Sequence, residues 1–410
     1  MVNQGYKQTK VGAIPNDWNC ARFGEKAKIY RGGSPRPIQY YLTSASDGIN
    51  WIKIGDVREN DKYISSTQER IIPEGVSKSR EVHVGDFILS NSMSFGRPYI
   101  LNIDGCIHDG WLTIQEYEST FSTEYLYYLL SSNMVYQQYI SMAAGSSVKN
   151  LNKDKVSALT VIYPAVPEQE RIAEALSDMD GMISSLEKLI AKKKAIKQGT
   201  MQELLTGKKR LPGFAGEWYE TTIGEHCCVF DGTHQTPKYT LAGIPFYSVE
   251  NITANDFVNT KFITTEEHEQ LSSKCKIEKG DILMTRIGSI GDCKYIDWDV
   301  NASFYVSLAL IKCKETINAQ FLSFYSTSSY FKKEIEIRSL LTAIPQKINL
   351  GPISEIRLNI PSDIKEQEAL ASILSDMDNE IEALGQKLAK ARQVKQGMMQ
   401  QLLTGKIRLV

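Results

Sequence analysis

The clearest hydrophobic pattern in the chain is a heptad repeat that occurs twice. In residues 366–406, apolar side chains recur at alternating intervals of four and three residues, which is the pattern of a coiled-coil seam. Residues 168–208 carry the same pattern at the same offsets. The predicted seam positions are Ile172, Leu176, Met179, Ile183, Leu186 and Ile190 in the first segment, and Leu370, Leu374, Met377, Ile381, Leu384 and Leu388 in the second. The pattern predicts two long amphipathic helices.

Local signals place the ends of both helices. Pro167 suits the first turn of the first helix, and Asp363 with Glu366 resembles a capping box at the start of the second. Each helix runs into the sequence LLTGK, whose glycine, Gly207 or Gly405, suits the left-handed position that ends a helix. At 1.5 Å per residue, about 38 residues make a helix of about 57 Å. An apolar stripe of that length needs a partner, and each helix is the obvious partner of the other.

The helices belong to an internal repeat with an offset of 198 residues. Residues 168–211 align with 366–409 without a gap, and VGDFILSNSMSFG (84–96) answers KGDILMTRIGSIG (279–291) in the preceding segments. The repeat predicts the order globular segment, long helix, globular segment, long helix. The predicted boundaries are 1–163 and 211–360 for the globular domains, and 164–210 and 361–410 for the helical spacers.

The predicted fold class is α+β. Both globular segments read as short strands broken by turn residues, with helical stretches at 123–132 and 319–329. Since the second globular segment starts directly after the first helix, the second helix must run back. We therefore expect two mixed α/β domains separated by antiparallel coiled-coil helices in a pseudo-twofold repeat, with the two chain ends close together. Two separate helices, each packed on its own domain, remain the alternative.

Composition restricts the class of protein only in part. Apolar and charged residues make up 42% and 23% of the chain, as in ordinary globular proteins. No apolar run is long enough to span a bilayer and the N-terminus has no signal-peptide core, so a cytoplasmic protein is expected. The formal net charge is −1, so any charge that attracts DNA must be local or supplied by a partner. The cysteines lack CxxC spacing and are interpreted as mostly buried, reduced thiols.

Polar loops at equivalent places in the two globular segments are the candidate binding sites. They carry hydroxyl, amide, imidazole, ammonium and guanidinium groups, which read base edges and bind phosphates. Any one of these loops could be ordinary surface, but their recurrence favours DNA contact. The candidates are Arg31, Ser34, Arg36, Ser90, Asn91, Ser92, Ser94, Arg97, Lys149 and Asn150 in the first segment, and His234, Gln235, Lys238, Thr285, Arg286, Ser289, Gln346 and Lys347 in the second.

The sequence lacks the motifs of an enzyme acting on DNA. A methyltransferase that flips adenine needs an Asn/Asp-Pro-Pro-aromatic loop, and no two prolines are adjacent in this chain. The five histidines show neither triad nor paired metal-ligand spacing. No catalytic, cofactor-binding or metal-binding residue is therefore predicted.

The paired EQE…LSDMD…KQG.MQ.LLTGK helices, with IPNDW and GEW opening the two globular segments, resemble the specificity (S) subunit of type I restriction–modification systems. The resemblance covers essentially the whole chain. It implies that each globular segment is a target recognition domain reading one half of a split double-stranded DNA sequence. It also implies that the helices form an antiparallel spacer that docks modification subunits.

The resemblance further implies which partners hold the chemistry. Two modification (M) subunits would supply S-adenosylmethionine and adenine methylation, and restriction (R) subunits would supply translocation and cleavage driven by ATP and Mg, so this chain would bind no cofactor. It does not carry over base contacts, because the recognition loops are the variable part of the family. Two alternatives stay open: a pure scaffold whose globular parts bind protein, and an orphan subunit that serves methylation alone.

Overall fold

The computed structural model describes residues 5–58, 61–91, 96–143 and 151–410. The chain divides into two compact units, Met1–Glu187 with Lys387–Val410, and Lys188–Gln386. Each unit contains one globular part and a portion of both long helices. Within the described ranges, no helix combines the length and the apolar character needed to cross a membrane.

The first unit holds fourteen of the named strands and the first three α-helices. Its strands are β1 (Tyr6–Thr9), β2 (Gly12–Pro15), β3 (Asn19–Arg22), β4 (Lys28–Arg31), β5 (Leu42–Thr43), β6 (Ile49–Ile52), β7 (Tyr63–Ile64), β8 (Glu69–Ile71), β9 (Arg80–Val82), β10 (Phe87–Ser90), β11 (Pro98–Leu101), β12 (Gly105–Ile107), β13 (Trp111–Gln115) and β14 (Thr160–Tyr163). Its short helices are α1 (Thr123–Leu130), α2 (Asn133–Ala143) and α3 (Lys153–Ser157), and the long helix α4 (Val166–Leu204) continues into the second unit.

The second unit repeats this order with fewer strands. Its strands are β15 (Trp218–Thr222), β16 (Cys227–Asp231), β17 (Ile244–Tyr247), β18 (Lys261–Ile263), β19 (Ile282–Thr285), β20 (Cys293–Tyr295), β21 (Ser303–Phe304), β22 (Leu308–Cys313) and β23 (Arg357–Pro361). Its helices are α5 (Ile223–His226), α6 (Val249–Ala254), α7 (Thr265–Ser272), α8 (Ala319–Tyr325), α9 (Ser329–Arg338) and α10 (Leu350–Ser354). The long helix α11 (Ile364–Leu402) begins here and ends in the first unit.

The sheets of the two units share one topology. The first unit orders one sheet β4-β13-β10-β11-β7, and the second orders its counterpart β16-β22-β19-β20. A second sheet, β5-β8-β6-β12-β9 in the first unit, corresponds to β18-β17-β21 in the second. The β6–β12 pair and the β17–β21 pair are both parallel. A two-stranded ladder, β14-β3 or β15-β23, completes each unit. The weak repeat seen in the sequence is therefore a repeat of the fold.

The two long helices pair antiparallel within each unit, as predicted. In the first unit, Asp180 binds Lys395 at 2.5 Å and Glu187 binds Arg392 at 2.6 Å, so advancing along α4 means retreating along α11. In the second unit, Lys193 binds Glu380 at 2.7 Å and Lys197 binds Asp378 at 2.5 Å in the same sense. Cross-helix ion pairs of this kind fix direction and register. They exclude the alternative of two unpaired helices.

The predicted seam is buried only at the start of each helix. Ile172 and Leu176 join the core of the first unit, and Leu370 and Leu374 join that of the second. The remaining seam positions, Met179, Ile183, Leu186, Ile190, Met377, Ile381, Leu384 and Leu388, are half-buried. Each helix covers only one side of the apolar seam of the other. Apolar surface in the middle of each helix therefore remains exposed to solvent.

The repeated tripeptide EQE fastens the start of each long helix. Gln169 and Gln367 are fully buried and bridge main-chain groups, each donating to the carbonyl of the proline that ends the preceding strand region. The Glu366 side chain is 1% exposed and accepts two hydrogen bonds of 2.6 Å from Arg210. The predicted capping box is therefore wrong in part: Asp363 accepts from the Lys365 amide at 2.9 Å, but Glu366 does not turn back to cap the helix.

The end of the chain repeats that contact in the first unit. Arg408 donates to Glu168 at 2.6 and 2.8 Å and to Asp17 at 2.9 and 2.7 Å. The Tyr6 hydroxyl donates to the Gly405 carbonyl at 3.0 Å. Gly405 has φ +68°, and a Cβ there would lie 2.5 Å from Pro15, so glycine is required. The prediction that the two chain ends lie close together is confirmed.

Candidate nucleic-acid interface

In the first unit, the polar loop after β10 is anchored by main-chain hydrogen bonds. The Asn91 amide donates to the Gly110 carbonyl at 3.1 Å, and the Leu151 amide donates to the Asn91 carbonyl at 2.9 Å. The Gly96 amide donates to the Ser90 carbonyl at 3.0 Å. Ser90 and Asn91 are both buried, so neither side chain projects into solvent.

The Asp109 carboxylate binds side chains of the second predicted polar loop of this unit, residues 31–37. Ser34 Oγ donates to Asp109 Oδ1 at 2.9 Å, Arg36 Nη2 lies 3.2 Å from Oδ2, and Asn91 Nδ2 donates to the Asp109 carbonyl at 3.0 Å. The Ser34 hydrogen bond is the largest cause that lowers the pKa of the Asp109 carboxyl, so this group stays ionised. The Arg36 side chain is 83% exposed, and its guanidinium is both oriented and accessible.

The corresponding hub of the second unit is Asp231, at the end of β16. Its carboxylate forms an ion pair with Arg286 and lies 2.6 Å from His234 Nε2. Arg286 is buried, and its guanidinium also donates to the Ile348 and Val306 carbonyls at 3.2 and 3.3 Å. A buried guanidinium needs these acceptors to offset its lost hydration. Arg286 therefore joins three loops, whereas His234 faces solvent.

The loop after β19 brings a further predicted segment into the cluster. The Gly288 amide donates to the Gln346 carbonyl at 2.9 Å, and Ile287 pairs with Lys347 as an antiparallel bridge. At the loop's other end, Ser289 Oγ donates to Asp292 at 2.5 Å. The loops 231–238, 286–291 and 341–349 thus form one surface, which we call the second loop platform. The first loop platform comprises loop 31–37, Ser90, Asn91, Gly96 and Arg97, together with Asp109.

The main-chain scheme of the two platforms is the same. Arg286 takes the place of Asn91: its amide donates to Ser307 at 2.9 Å, and its carbonyl accepts from Ile348 at 2.9 Å. The Gly291 amide donates to the Thr285 carbonyl at 2.9 Å, as Gly96 does to Ser90. The side chains on this common frame differ, because an asparagine stands in one unit where an arginine stands in the other.

The structure sorts the predicted DNA-contacting residues by exposure. Ser34 and Arg97 are half-buried, and Ser92, Ser94, Lys149 and Asn150 lie outside the described residues. The buried ones are Ser90, Asn91, Thr285 and Arg286. The exposed ones are Arg31, Arg36, His234, Gln235, Lys238, Ser289, Gln346 and Lys347. The buried side chains are therefore enclosed by the protein, and the exposed side chains are accessible from solvent.

Sequence reasoning missed the acidic residues that organise both platforms. Asp109, Asp231 and Asp292 each accept a hydrogen bond from a predicted polar residue. Asp109 and Asp231 each precede a glycine at a strand end, in HDGW and FDGTH, and such pairs read as simple turns. Across the described residues, no group of three or more His, Cys, Asp or Glu side chains is placed to hold a metal ion.

Each unit also has a cleft of about 700 Å³ beside the end of a long helix. In the first unit the cleft lies against α2 and also contacts Arg97, whose guanidinium is 5.9 Å from the Tyr99 ring centre. In the second unit it lies against the start of α9. Identical residues line both clefts at the offset of 198: Lys197, Gln198, Met201, Gln202, Leu205, Thr206 and Lys208 in one, and Lys395, Gln396, Met399, Gln400, Leu403, Thr404 and Lys406 in the other. We call these surfaces the repeated clefts.

The chain thus consists of two repeated α/β units with unlike polar platforms, each fastened to portions of two antiparallel helices. The model of the Type I restriction modification DNA specificity domain matches residues 15–198 and 217–393. The chain belongs to this family, the specificity subunits of type I restriction–modification systems, and takes part in DNA recognition.

Similar proteins span nearly its full length. The type I restriction enzyme MjaVIII specificity subunit of Methanocaldococcus jannaschii is 24% identical over 99% of this chain and 96% of its own. The HsdS subunit of Thermoanaerobacter tengcongensis has a similar structure, with a TM-score of 0.53 and 16% identity over 96% of this chain and 98% of that one. A structure from work on assembly and conformational transition of the type I R-M system gives 0.59 at 15% identity, over 96% and 99%. These solved structures support the fold.

Proposed function

We propose that the chain reads a bipartite, asymmetric DNA target, one half with each loop platform, and has no catalysis of its own. The observation that carries the proposal is the common main-chain frame on which the side chains differ, with Asn91 in one unit and Arg286 in the other. A frame that is the same in both units sets the same approach to a DNA groove, and different side chains on it select different bases. The two half-sites should therefore differ in sequence.

The exposed side chains indicate the chemistry of reading. Arg36, oriented by Asp109, has the planar pair of donors that matches guanine O6 and N7. Gln346 offers the amide that pairs with adenine N6 and N7, and the adjacent Lys347 provides a cation for a guanine or a phosphate. The buried Asn91 and Arg286 hold these loops in place.

The repeated clefts support the proposal that two copies of one partner dock on the chain. Two surfaces that keep the same lining residues, on domains whose loops differ, fit a partner that is present twice in the same form. We assign this partner to the modification subunit, which would bring S-adenosylmethionine and adenine methylation. Restriction subunits, with ATP and Mg, would join the same complex.

Mapping methylated adenines in a host with and without this chain tests the reading function. We expect methylation at one split, asymmetric motif. Arg36→Ala should relax the bases of one half-site and Gln346→Ala those of the other, each by about 1–3 kcal/mol of discrimination per base contact.

Lys279→Ala is the matched control, because Lys279 is exposed but precedes β19, at the opposite end of that strand from the second loop platform. It should leave the motif unchanged. A methylation pattern with no sequence motif would mean that the chain is a scaffold. An unchanged motif in both loop variants would mean that the platforms do not read bases.

The clefts make a separate prediction about stoichiometry. Lys208→Glu and Lys406→Glu each reverse an exposed charge in one cleft, so each should remove one of two modification subunits, and the double variant should remove both. Light scattering of the purified complex measures the copy number. Lys209→Glu is the control, because Lys209 neighbours Lys208 but its counterpart is Ile407, outside the repeated set. Two subunits retained in the double variant would place docking elsewhere.

A further inference from the structure

The second loop platform carries an exposed apolar tip that DNA reading by polar groups does not explain. Ile344 is 100% exposed, Ile337 is 62% exposed, and Leu340 and Leu341 are each 46% exposed. Single exposed apolar residues are common on protein surfaces, but four within eight positions, from the last turn of α9 into the loop 341–349, are an unusual concentration that suggests a contact site. These side chains remain exposed, so packing within the unit does not explain why they are apolar.

The loop that carries the tip is braced. Lys347 pairs in antiparallel bridges with Ile287 and with Leu340, and the Ala343 amide donates to the Leu340 carbonyl at 3.2 Å. The next turn is tied to the neighbouring loop through the Gln346 carbonyl. Ile344 is therefore presented from a hydrogen-bonded base, and the energetic cost of ordering it is met before any ligand arrives.

The position of the tip favours DNA as its occupant. Ile344 lies two residues before Gln346 and three before Lys347, which are exposed and suited to base edges and phosphates. A duplex that contacts those two side chains also meets the apolar tip. Proteins that bend DNA insert apolar side chains of this kind between base steps, next to polar groups that hold the groove.

We propose that Ile344 is a wedge that enters double-stranded DNA at a base step of the half-site read by the second unit and partly unstacks it. This inference rests on the proposed reading function. With such a wedge, recognition of this half-site also depends on how easily the DNA deforms at that base step. Flexible pyrimidine–purine steps should therefore be favoured at that position.

The test uses the complex of this chain with its modification partners and a duplex carrying the mapped target. 2-Aminopurine, which brightens when unstacked, replaces successive bases of the half-site. Wild-type complex should brighten one position besides the methylated adenine, which such enzymes flip out in any case. Ile344→Ala should abolish that signal, keep the flipped-base signal, and weaken target binding about tenfold while non-specific binding stays the same.

Two control variants separate the wedge from general effects. Ile344→Leu should keep the signal, and Val258→Ala, at an 83% exposed position outside the second loop platform, should behave as wild type. Equal melting temperatures would show that each variant folds.

Four results would overturn the wedge. Wild-type binding by Ile344→Ala with target preference intact would overturn the wedge alone, as would persistence of the bright step. Loss of the modification subunit from the Ile344→Ala complex would make the patch a protein contact. A wild-type complex without any target preference would remove the reading function and the wedge together.

Discussion

Replacing Arg408 by alanine should lower the free energy of unfolding by about 3–5 kcal/mol, the cost of leaving a buried carboxylate without its cation. Arg408 holds Glu168 through two hydrogen bonds, and only 5% of the Glu168 residue surface is exposed. The indole of Trp18, at 3.3 Å, is the donor that remains for Glu168 after the change. Chemical denaturation of the purified variant measures the loss.

Arg210→Ala provides a matched comparison in the other unit, where Arg210 makes the equivalent pair with Glu366. Ile407→Ala, at a 53% exposed position, should have little effect.

The Arg408 hydrogen bonds are also the largest cause of the lowered pKa of Asp17. A carboxyl with a lowered pKa stabilises the fold above its unfolded pKa and loses that contribution as the pH falls through its folded pKa. The difference in the free energy of unfolding between wild type and Arg408→Ala should therefore become smaller below about pH 4. A gap that widens in acid would contradict this assignment.

Arg286→Ala should disrupt the second loop platform, with a loss of about 2–3 kcal/mol in stability and of all preference for one half-site. The change removes the cation of Asp231 and the donor to the Ile348 and Val306 carbonyls. The magnitude is smaller than for Arg408 because the Asp231 side chain is 26% exposed and can recover some hydration. Thermal unfolding and mapping of methylated adenines together measure both effects.

Arg286→Lys separates charge from geometry at this position. Lysine keeps the cation but lacks the planar set of donors, so we expect partial recovery of stability and little recovery of reading. Ser289→Ala, on the exposed part of the same loop, should leave stability unchanged. If Arg286→Ala melts like wild type and still reads both half-sites, the arginine does not hold the platform together.

The sequence was most informative where the signal was local and repeated. The heptads predicted two helices of equal length, and the structure gives 39 residues to each. The glycines of LLTGK predicted both ends, since a left-handed residue follows from local chain geometry. Chain continuity then predicted the antiparallel pairing and the closeness of the chain ends. None of these inferences required knowledge of which distant side chains meet.

The rest depended on tertiary contacts. The sequence predicted Arg286 and Asn91 to be exposed loop residues, because no neighbouring residue in the sequence indicates that Asp231 or Asp109 is the partner. Glu366 read as a helix cap, although its partner Arg210 lies 156 residues away. The thiols were expected to be mostly buried, but Cys20 and Cys228 are exposed. The base contacts assigned to the exposed loop residues stay predictions.

The frame beneath both platforms has an evolutionary consequence. Amide-to-carbonyl hydrogen bonds from Leu151 to Asn91, and from Ile348 to Arg286, join main-chain atoms and so do not depend on the side chains of the exposed loop residues. Inherited substitutions at the loop tips can therefore change the letters recognised without rebuilding the domain. If each platform reads its own half-site, as proposed, substitutions in one platform can change that half-site by small mutational steps while selection keeps the other.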